Sequence, residues 1–289
     1  MKKNELKDKI YSKIDELPTL PAVLPKLLGL MESDRSASSD IAEAISSDPA
    51  LASKTSKVAN SAYYGFSQTI ATLEKAIVLL GFNMVRSLAL SIGVIHSLSS
   101  GKNSPHFSQE GLWIHSLAVA EAMQELATKF GKGDHNEHLF IVGLLHDIGK
   151  IVLNQFFGEL FQQALEAAAS QENTGLYTAE RRIIGLDHAD VGAMLLERWR
   201  FPAKVRNPIA VHHQDDIPEG TNANDVAMLR IANVLTQMLG LGSEGNPTPS
   251  EICDKDLKAL GMNKNELEDI KTYLHSIEDR MYSFFSAIG

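Results

Sequence analysis

The sequence predicts an all-α protein. Apolar residues recur at spacings of three and four along several stretches, which is the pattern of amphipathic helices. The clearest stretches are residues 73–80, 85–95, 114–129 and 194–199. Helix-capping residues begin further segments, whereas the alternating apolar and polar runs with hairpin turns that mark β-strands are nearly absent.

In chain order, the first capping pattern is Asp40 followed by Glu43. Such a pair is typical of a helix start, because its side chains accept hydrogen bonds from backbone N–H groups that have no partner inside the helix. The predicted helix carries Ile41, Ala44 and Ile45 on one face, which indicates that this face is buried.

Two further helices are predicted near the C-terminus. Residues 248–251 are Thr-Pro-Ser-Glu, which places an N-cap, a proline at the first helical position and a glutamate at the third. That helix is expected to end at Gly261, since glycine adopts the left-handed conformation of a helix end without strain. Asn263 and Glu266 then predict the start of the final helix.

Two loop-like segments divide the chain. Residues 99–105 and 240–249 are rich in glycine, proline and small polar residues. They predict an N-terminal helical subdomain over residues 1–104, a histidine-rich helical domain over 105–240 and a C-terminal helical extension over 241–289.

The composition is that of a globular protein with an acidic balance. Of the 289 residues, 44% are hydrophobic and 22% are charged, and the formal net charge is −9. Negative charge repels phosphate backbones, so a nucleic-acid partner is not expected. Cys253 is the single cysteine, which excludes an internal disulfide and fits a reducing cytosol.

The sequence predicts neither an export signal nor a membrane span. Residues 1–9 are highly charged and no apolar stretch follows them, unlike a secretory signal peptide. The longest apolar run, residues 139–145, is far shorter than the roughly 20 residues that span a bilayer. We therefore expect a soluble, cytoplasmic protein without a membrane partner.

The placement of the histidines is the main functional signal. They concentrate between positions 115 and 213, several in apolar surroundings, where a neutral imidazole is a good metal ligand. The sharpest motif is His146-Asp147, because an aspartate among apolar residues is expensive to bury unless a partner compensates its charge. A metal ion held by both side chains is one such partner. The alternative is that Asp147 pairs with Lys150 one helical turn later and His146 is an ordinary core residue.

The other histidines also have structural interpretations. His115 fits a hydrogen-bonded core residue of an amphipathic helix, and His188 fits the first turn of a helix capped by the preceding aspartate. The pair 212–213 fits a solvent-exposed helix end. His135 and His138 lie in a polar loop and are expected at the surface.

The order of these histidines resembles the metal-binding series of the HD superfamily of phosphohydrolases. The resemblance is closest to its HDOD branch, the HD-related output domains of bacterial signalling proteins, and it covers roughly residues 12–215. It implies the helical HD fold. The motifs that carry it are residues 17–21 (Leu-Pro-Thr-Leu-Pro), 48–51 (Asp-Pro-Ala-Leu), 59–65 (Ala-Asn-Ser-Ala-Tyr-Tyr-Gly), 76–81 (Ala-Ile-Val-Leu-Leu-Gly), 143–150 (Gly-Leu-Leu-His-Asp-Ile-Gly-Lys) and 187–192 (Asp-His-Ala-Asp-Val-Gly).

The resemblance implies one or two divalent metal ions. The implied ligands are His115, His146, Asp147, His188, His212 and His213. The first three match the core ligands of HD domains, and the last three match the histidines that hold a second ion in the related HD-GYP phosphodiesterases. Asp147 would bridge the ions and serve catalysis, and Lys150 would meet a substrate phosphate. Iron, manganese and zinc fit, with iron favoured by a histidine-rich site that shares one carboxylate.

Three departures from the family pattern affect the expected chemistry. The aspartate that usually closes the HD series has Asn233 as its counterpart, which makes Asn233 a candidate ligand without a carboxylate's charge. The Gly-Tyr-Pro motif expected after His213 is missing. Gly111 stands one turn before His115, where a ligand glutamate can occur.

The resemblance therefore implies a bacterial signal-transduction protein that retains a metal site and has weak or no catalysis. The alternative is a metal-dependent phosphohydrolase or phosphodiesterase acting on a nucleotide or cyclic dinucleotide. A third interpretation is a pure interaction scaffold. Signalling proteins are the expected partners, and a nucleotide or cyclic dinucleotide is a candidate ligand.

Overall fold

The computed structural model of the chain describes residues 3–17, 19–31, 38–98, 106–131, 136–170, 175–246 and 251–288. Within these ranges every regular element is a helix and no β-strand occurs. This confirms the predicted all-α fold.

Residue contacts divide the chain into two compact units, each made of two segments. Residues 1–17 and 100–275 form one unit, which holds all the candidate ligands and is called the histidine unit below. Residues 18–99 and 276–289 form the other, called the small unit. The subdomain boundaries predicted from the two loop-like segments stay a prediction.

The small unit is built around one buried helix. Its elements are α2 (Val23–Gly29), α3 (Ser38–Ser46), α4 (Pro49–Ala59), α5 (Leu73–Leu80), α6 (Phe82–Ser97) and the last part of α16 (Lys264–Ile288). Residues 85–95 of α6 are all buried, and α2, α3, α4 and α5 pack on that helix. A Cβ at Gly93 would lie 2.6 Å from the side chain of Leu24, so this glycine permits the close approach of α2.

The helix predicted from Asp40 exists but begins earlier. Because α3 starts at Ser38, Asp40 lies inside the helix and not at its N-cap, and that part of the prediction is wrong. Ile41 and Ile45 are fully buried, as expected. A helix extends through neighbouring residues that tolerate it, so one capping-type residue does not fix a boundary.

The histidine unit is built around α7. Its elements are α1 (Lys3–Glu16), α7 (Gln109–Phe130), the short 3-10 helix η1 (Asn136–His138), α8 (Leu139–Leu145), α9 (Ile148–Phe156), α10 (Gly158–Ser170), α11 (Leu176–Ile183), α12 (His188–Arg198), α13 (Ala203–Val211), α14 (Ala223–Met238), α15 (Asp254–Leu260) and the first part of α16. The helices α8 and α14 pack on α7, and α12 packs on both α9 and α13.

Two glycines set the distances between helices that carry site residues. At Gly143 on α8, a Cβ would lie 2.6 Å from the Cα of Ala120 on α7. At Gly149 on α9, a Cβ would lie 2.0 Å from the carbonyl oxygen of His188, the first residue of α12. Only a residue without a Cβ allows these helix pairs to pack so closely. The segment between α8 and α9 is thereby brought next to both α7 and α12.

The C-terminal predictions are confirmed in part. Residues 248–250 lie outside the described ranges, but residues 251–253 are not helical, so the predicted start of α15 is wrong. Gly261 ends α15 in the left-handed conformation, with φ 69°, as predicted. Asn263 and Glu266 cap α16 reciprocally: Asn263 Oδ1 accepts from the amide of Glu266 at 3.1 Å, and Glu266 Oε2 accepts from the amide of Asn263 at 2.8 Å.

One stretch of the described residues, Leu139–Phe156, is long and apolar enough to cross a membrane, and 83% of it is buried inside the protein. The helices α5 and α6 pass the same test only as a pair bent by 118°. Burial of this extent is typical of a core helix in a water-soluble protein. The cytoplasmic location stays a prediction.

Candidate metal centre

The His146-Asp147 motif lies at the break between α8 and α9. Asp147 occupies the N-cap position of α9, so both side chains project from the junction of two helices. Nδ1 of His146 donates to the carbonyl oxygen of Gly143 at 2.8 Å, which leaves the lone pair on Nε2. That Nε2 is buried and has no hydrogen-bond partner among the described residues.

His115 and Asn233 lie next to this motif, His115 on α7 and Asn233 on α14. Nε2 of His115 lies 3.0 Å from Oδ1 of Asn233 and 4.0 Å from Oδ2 of Asp147. Thr236, also on α14, contacts Nδ1 of His115 at 3.4 Å. Ligand atoms of His115, His146 and Asp147 lie within 4.8 Å of one another, which is close enough to hold one ion.

His188 approaches the other oxygen of Asp147. Asp187 is the N-cap of α12, as predicted, and it forms a reciprocal capping box with Asp190, which places His188 at the first helical position. Nδ1 and the backbone N–H of His188 both donate to Oε2 of Glu180, at 2.6 and 2.9 Å. The second ring nitrogen, Nε2, therefore faces Oδ1 of Asp147, at 3.1 Å.

His212 and His213 follow the last residue of α13. Nδ1 of His212 donates to the carbonyl oxygen of Ile209 at 2.7 Å, and its buried Nε2 has no partner among the described residues. Nε2 of His213 lies 2.9 Å from Nε2 of His188, and its ring stacks on Tyr177 with the centroids 4.4 Å apart. Ligand atoms of the three histidines 188, 212 and 213 lie within 4.8 Å of one another.

Arg230 on α14 fixes the turn that carries His212 and His213. Its guanidinium donates to the carbonyl oxygens of Val211, His212 and Gln214. A fourth partner is the carboxylate of Asp256, at 3.2 Å. Carbonyls at the end of a helix have no partner within the helix, so these bonds hold the end of α13 in one conformation.

The spacing of the donor atoms fits metal ions. Two ligands that bind one ion at about 2.1 Å and at right angles lie roughly 3 Å apart. Oδ2 of Asp147 is 3.3 Å from Nε2 of His146. The Nε2 of His188 is 3.1 Å from Oδ1 of Asp147 and 2.9 Å from Nε2 of His213. The two oxygens of Asp147 thus face different groups of histidines, the arrangement needed for a carboxylate that bridges two ions.

Burial keeps three of the imidazoles neutral. It lowers the pKa of His115 to about 4 and that of His212 to about 3, and it lowers the pKa of His213 as well. A neutral imidazole has a lone pair on one ring nitrogen, which is the form that binds a metal ion. These three side chains are therefore available as ligands at neutral pH.

Neighbouring charges favour the protonated form of His188 and the ionised form of Asp147. Burial disfavours the protonated form of His188, but Glu180 and Asp147 outweigh burial and raise the pKa of His188 to about 10. Burial also disfavours the carboxylate of Asp147, yet the nearby His146, Lys150 and His188 hold its pKa well below the ordinary range. A metal ion would take the place of the proton on His188.

Lys150 lies inside the site as part of an ion-pair network. Its ammonium donates to Oδ2 of Asp147 at 2.8 Å and to Oε2 of Glu244 at 2.9 Å. Burial opposes its charge, but the two carboxylates outweigh burial and raise the pKa of Lys150 above its ordinary value. Asp147 therefore pairs with Lys150 and also lies beside the histidines, so the two interpretations of the His146-Asp147 motif do not exclude each other.

A cavity of about 240 Å³ opens beside the second group of histidines. Its walls include Tyr177, His212, His213, Arg230, Asn233, Glu251, Cys253 and Lys255. A small ligand in this cavity would contact the histidines directly. Lys150 and Asp147 do not line it.

All the predicted site residues lie close together in the histidine unit. They are His115, His146, Asp147, Lys150, His188, His212, His213 and Asn233. Their roles as metal ligands and catalytic groups stay predictions.

Two of the structural interpretations are wrong. The pair 212–213 is not a solvent-exposed helix end, since His212 is buried and His213 is partly buried. His138 is not a surface residue: it is buried, and its Nε2 lies 2.8 Å from Oδ2 of Asp225. The polar sequence around His138 does not show that a distant helix, α14, covers this residue. His135 lies outside the described residues.

Sequence reasoning missed Glu180 and Glu244. Both are buried, Glu180 behind His188 and Glu244 against Lys150. Glu180 stands eight residues before His188, but the two residues lie on different helices, so helical periodicity does not predict their contact. A glutamate among the glycines of residues 240–245 was the one available signal for Glu244.

Comparison with known proteins gives one family. The HDOD domain family model matches residues 17–215. A curated relative, an uncharacterized protein of Treponema pallidum (strain Nichols), is 28% identical over 204 residues, which are 71% of this chain. The match spans only 39% of that relative's length.

Solved structures share the fold. An HDOD domain protein of unknown function from Geobacter sulfurreducens is 23% identical with a TM-score of 0.80, covering 96% of this chain and 98% of its own. A "putative phosphohydrolase" from Shewanella amazonensis is 22% identical with a TM-score of 0.75, covering 97% and 98%. A "putative signal transduction protein" from Marinobacter aquaeolei is 20% identical with a TM-score of 0.81, covering 100% of this chain and 66% of its own.

Proposed function

This chain belongs to the HDOD domain family, and we propose that it is a bacterial signalling protein that binds one or two divalent metal ions in its His/Asp cluster. The metal ions and a nucleotide-type ligand would set the conformation that a partner protein recognises. Catalysis is weak or absent in this proposal. Its cytoplasmic location and its signalling-protein partners are part of the same proposal.

One observation carries the metal proposal. Nε2 of His146 and Nε2 of His212 are buried, carry a lone pair and have no hydrogen-bond partner among the described residues. Leaving such groups unsatisfied costs about 1–3 kcal/mol each. Metal ions bound to these two nitrogens would remove that cost.

The donor set favours iron, manganese or zinc over calcium or magnesium, because imidazole nitrogens outnumber oxygens. His115, His146 and Asp147 would hold one ion, and His188, His212 and His213 the other. Asp147 would bridge them, and Asn233 would supply a neutral oxygen to the first. Iron is the favoured metal for a six-coordinate site of this kind.

Two features support regulation over efficient catalysis. Asn233 brings an amide where a carboxylate would add charge, and its Oδ1 is already engaged by His115 and Gln237. Lys150 is held by two carboxylates and does not face the cavity, so it is poorly placed to meet a substrate phosphate.

A second function, hydrolysis of a phosphodiester in a nucleotide or cyclic dinucleotide, is favoured by the cavity that opens on His212 and His213. Bound metal ions can activate water and neutralise charge on phosphoryl oxygens. In this chain Glu180 would hold the ring of His188, and Arg230 would hold the turn of His212 and His213.

Metal content tests the proposal. Untagged protein is expected to contain one or two ions of iron, manganese or zinc per chain by inductively coupled plasma mass spectrometry, and the double variant His146→Ala, Asp147→Ala should contain none. A control variant, His275→Ala, Asp279→Ala, removes the same residue types from exposed positions of α16 and should keep the metal. Circular dichroism checks that each variant folds.

A wild-type protein that stays free of metal after incubation with iron, manganese and zinc would overturn the proposal. Turnover of cyclic dinucleotides or nucleotides by the metal-loaded protein, lost in the double variant but not in the control, would establish the hydrolase in place of the regulatory protein.

A further inference from the structure

The segment after α14 reaches back into the site. Residues 240–246, called the strap below, contain Gly240, Gly242 and Gly245, all with positive φ, at 67°, 74° and 95°. These left-handed conformations are readily available only to glycine, and they bend the strap sharply. The strap follows residue 215, the last residue matched by the family model.

The strap is fixed on α7 beside His115. A Cβ at Gly242 would lie 2.3 Å from the amide nitrogen of His115 and 2.4 Å from the carbonyl oxygen of Gly111. The amide of Ser243 donates to that same carbonyl at 2.9 Å. A Cβ at Gly111 would already lie 3.1 Å from the carbonyl oxygen of Ser243. The small residues at 111 and 242 therefore make room for the strap where α7 begins.

The strap delivers one carboxylate to the site. Oε2 of Glu244 accepts from the ammonium of Lys150 at 2.9 Å, and also from the backbone and side-chain amides of Asn246 at 2.8 and 2.9 Å. Glu244 is buried, as is Lys150. The two amides of Asn246 hold the carboxylate of Glu244 in place beside Lys150.

Lys150 creates a conflict at the proposed metal centre. Its ammonium lies 2.8 Å from Oδ2 of Asp147, the oxygen that faces His146. A cation bound to that oxygen would lie within roughly 5 Å of the ammonium and would be repelled by it. If Asp147 were the only carboxylate beside Lys150, it would have to neutralise both the lysine and the metal.

We propose that Glu244 is a positioning residue, which balances the charge of Lys150 and so leaves Asp147 free to bind metal. The proposal rests on the metal centre proposed above. It extends the site to the strap, beyond the part of the chain that the family model matches. It also assigns Lys150 a partner inside the protein in place of a substrate phosphate.

The test is a double-mutant cycle on Mn²⁺ affinity. Metal-free full-length protein is titrated with Mn²⁺, and free Mn²⁺ is followed by electron paramagnetic resonance. Glu244→Gln should weaken Mn²⁺ binding at least tenfold, because Asp147 is then the carboxylate to which Lys150 donates. In the Lys150→Met background the same substitution should change Mn²⁺ affinity less than threefold. The control Glu219→Gln removes an equal charge from an exposed loop and should bind like wild type.

The outcomes separate this inference from the proposed function. Mn²⁺ binding by wild type with unchanged affinity in Glu244→Gln overturns the inference alone. An equal loss in both backgrounds also overturns it, since Glu244 would then act on the metal directly. A wild type that binds no Mn²⁺, iron or zinc overturns the proposed function and the inference with it.

Should Glu244→Gln alone fail to fold, Lys150→Met is compared with Lys150→Met, Glu244→Gln, where no buried lysine is left without its partner. Equal affinity of these two supports action through Lys150, and a tenfold loss in the double variant overturns it.

Discussion

Replacing Gly149 with alanine is expected to destabilise the histidine unit and to disturb the proposed metal centre. The added Cβ would lie 2.0 Å from the carbonyl oxygen of His188 and 2.7 Å from the amide nitrogen of Gly192, both backbone atoms of α12. An ordinary contact of a Cβ begins at 3.4 Å, so α9 and α12 must separate by about 1.4 Å (3.4 − 2.0).

The expected loss of stability follows from this clash. An extra methylene in a well-packed interior typically costs about 1–3 kcal/mol, and the upper end applies here because backbone atoms cannot rotate away. We therefore expect Gly149→Ala to lower the free energy of unfolding by about 3 kcal/mol.

The same movement affects metal binding. Nε2 of His188 lies 3.1 Å from Oδ1 of Asp147, and metal sites require ligand distances within about 0.2 Å. A helix displaced by more than an ångström cannot keep His188 and Asp147 on one ion, so Mn²⁺ affinity should fall at least tenfold.

Urea unfolding followed by circular dichroism and a Mn²⁺ titration measure the two effects. The matched control is Gly158→Ala at the start of α10, where the described residues outside its own helix place no atom within 4 Å of the added Cβ. Its stability should stay within about 1 kcal/mol of wild type. If Gly149→Ala is as stable as this control and binds Mn²⁺ like wild type, the argument that Gly149 sets the helix distance is refuted.

Three further substitutions test the supports of the site. Glu180→Gln keeps the shape but removes the charge that orients His188, so Mn²⁺ affinity should fall about 10- to 100-fold; unchanged affinity contradicts this role. Asp187→Ala removes the N-cap of α12 and should cost about 1–2 kcal/mol at neutral pH. Burial raises the pKa of Asp187, but His188, the hydrogen bond from the α12 backbone and Arg181 outweigh it and lower that pKa below 3.8. The stabilisation by Asp187 is therefore present above about pH 4 and is lost as the pH falls through the lowered pKa. Urea unfolding curves of wild type and Asp187→Ala should converge in acid. A constant difference in stability down to about pH 2 argues against the capping role. In Arg230→Lys, the lysine cannot donate to all three carbonyls at the end of α13, so Mn²⁺ binding should weaken about tenfold at unchanged helix content. Wild-type affinity would show that these hydrogen bonds of Arg230 are dispensable for metal binding.

The sequence by itself determined the helical class, several of the helices and several helix ends. The helix over residues 73–80, the N-cap at Asp187, the end at Gly261 and the start at Asn263 were all predictable. Each depends on side chains that are at most four residues apart, so the physical cause lies within the segment itself. The candidate ligands were identified too, through motifs whose order resembles one family.

Tertiary structure decided which charges surround those candidates. Glu244 is 94 residues from Lys150 in sequence, and Asn233 is 118 residues from His115. His138 is buried because Asp225, 87 residues away, packs against it. No local spacing encodes such contacts, since they arise only when α7, α9, α12 and α14 pack together. The sequence provides the candidate ligand side chains, and helix packing at Gly143 and Gly149 sets the distances between them.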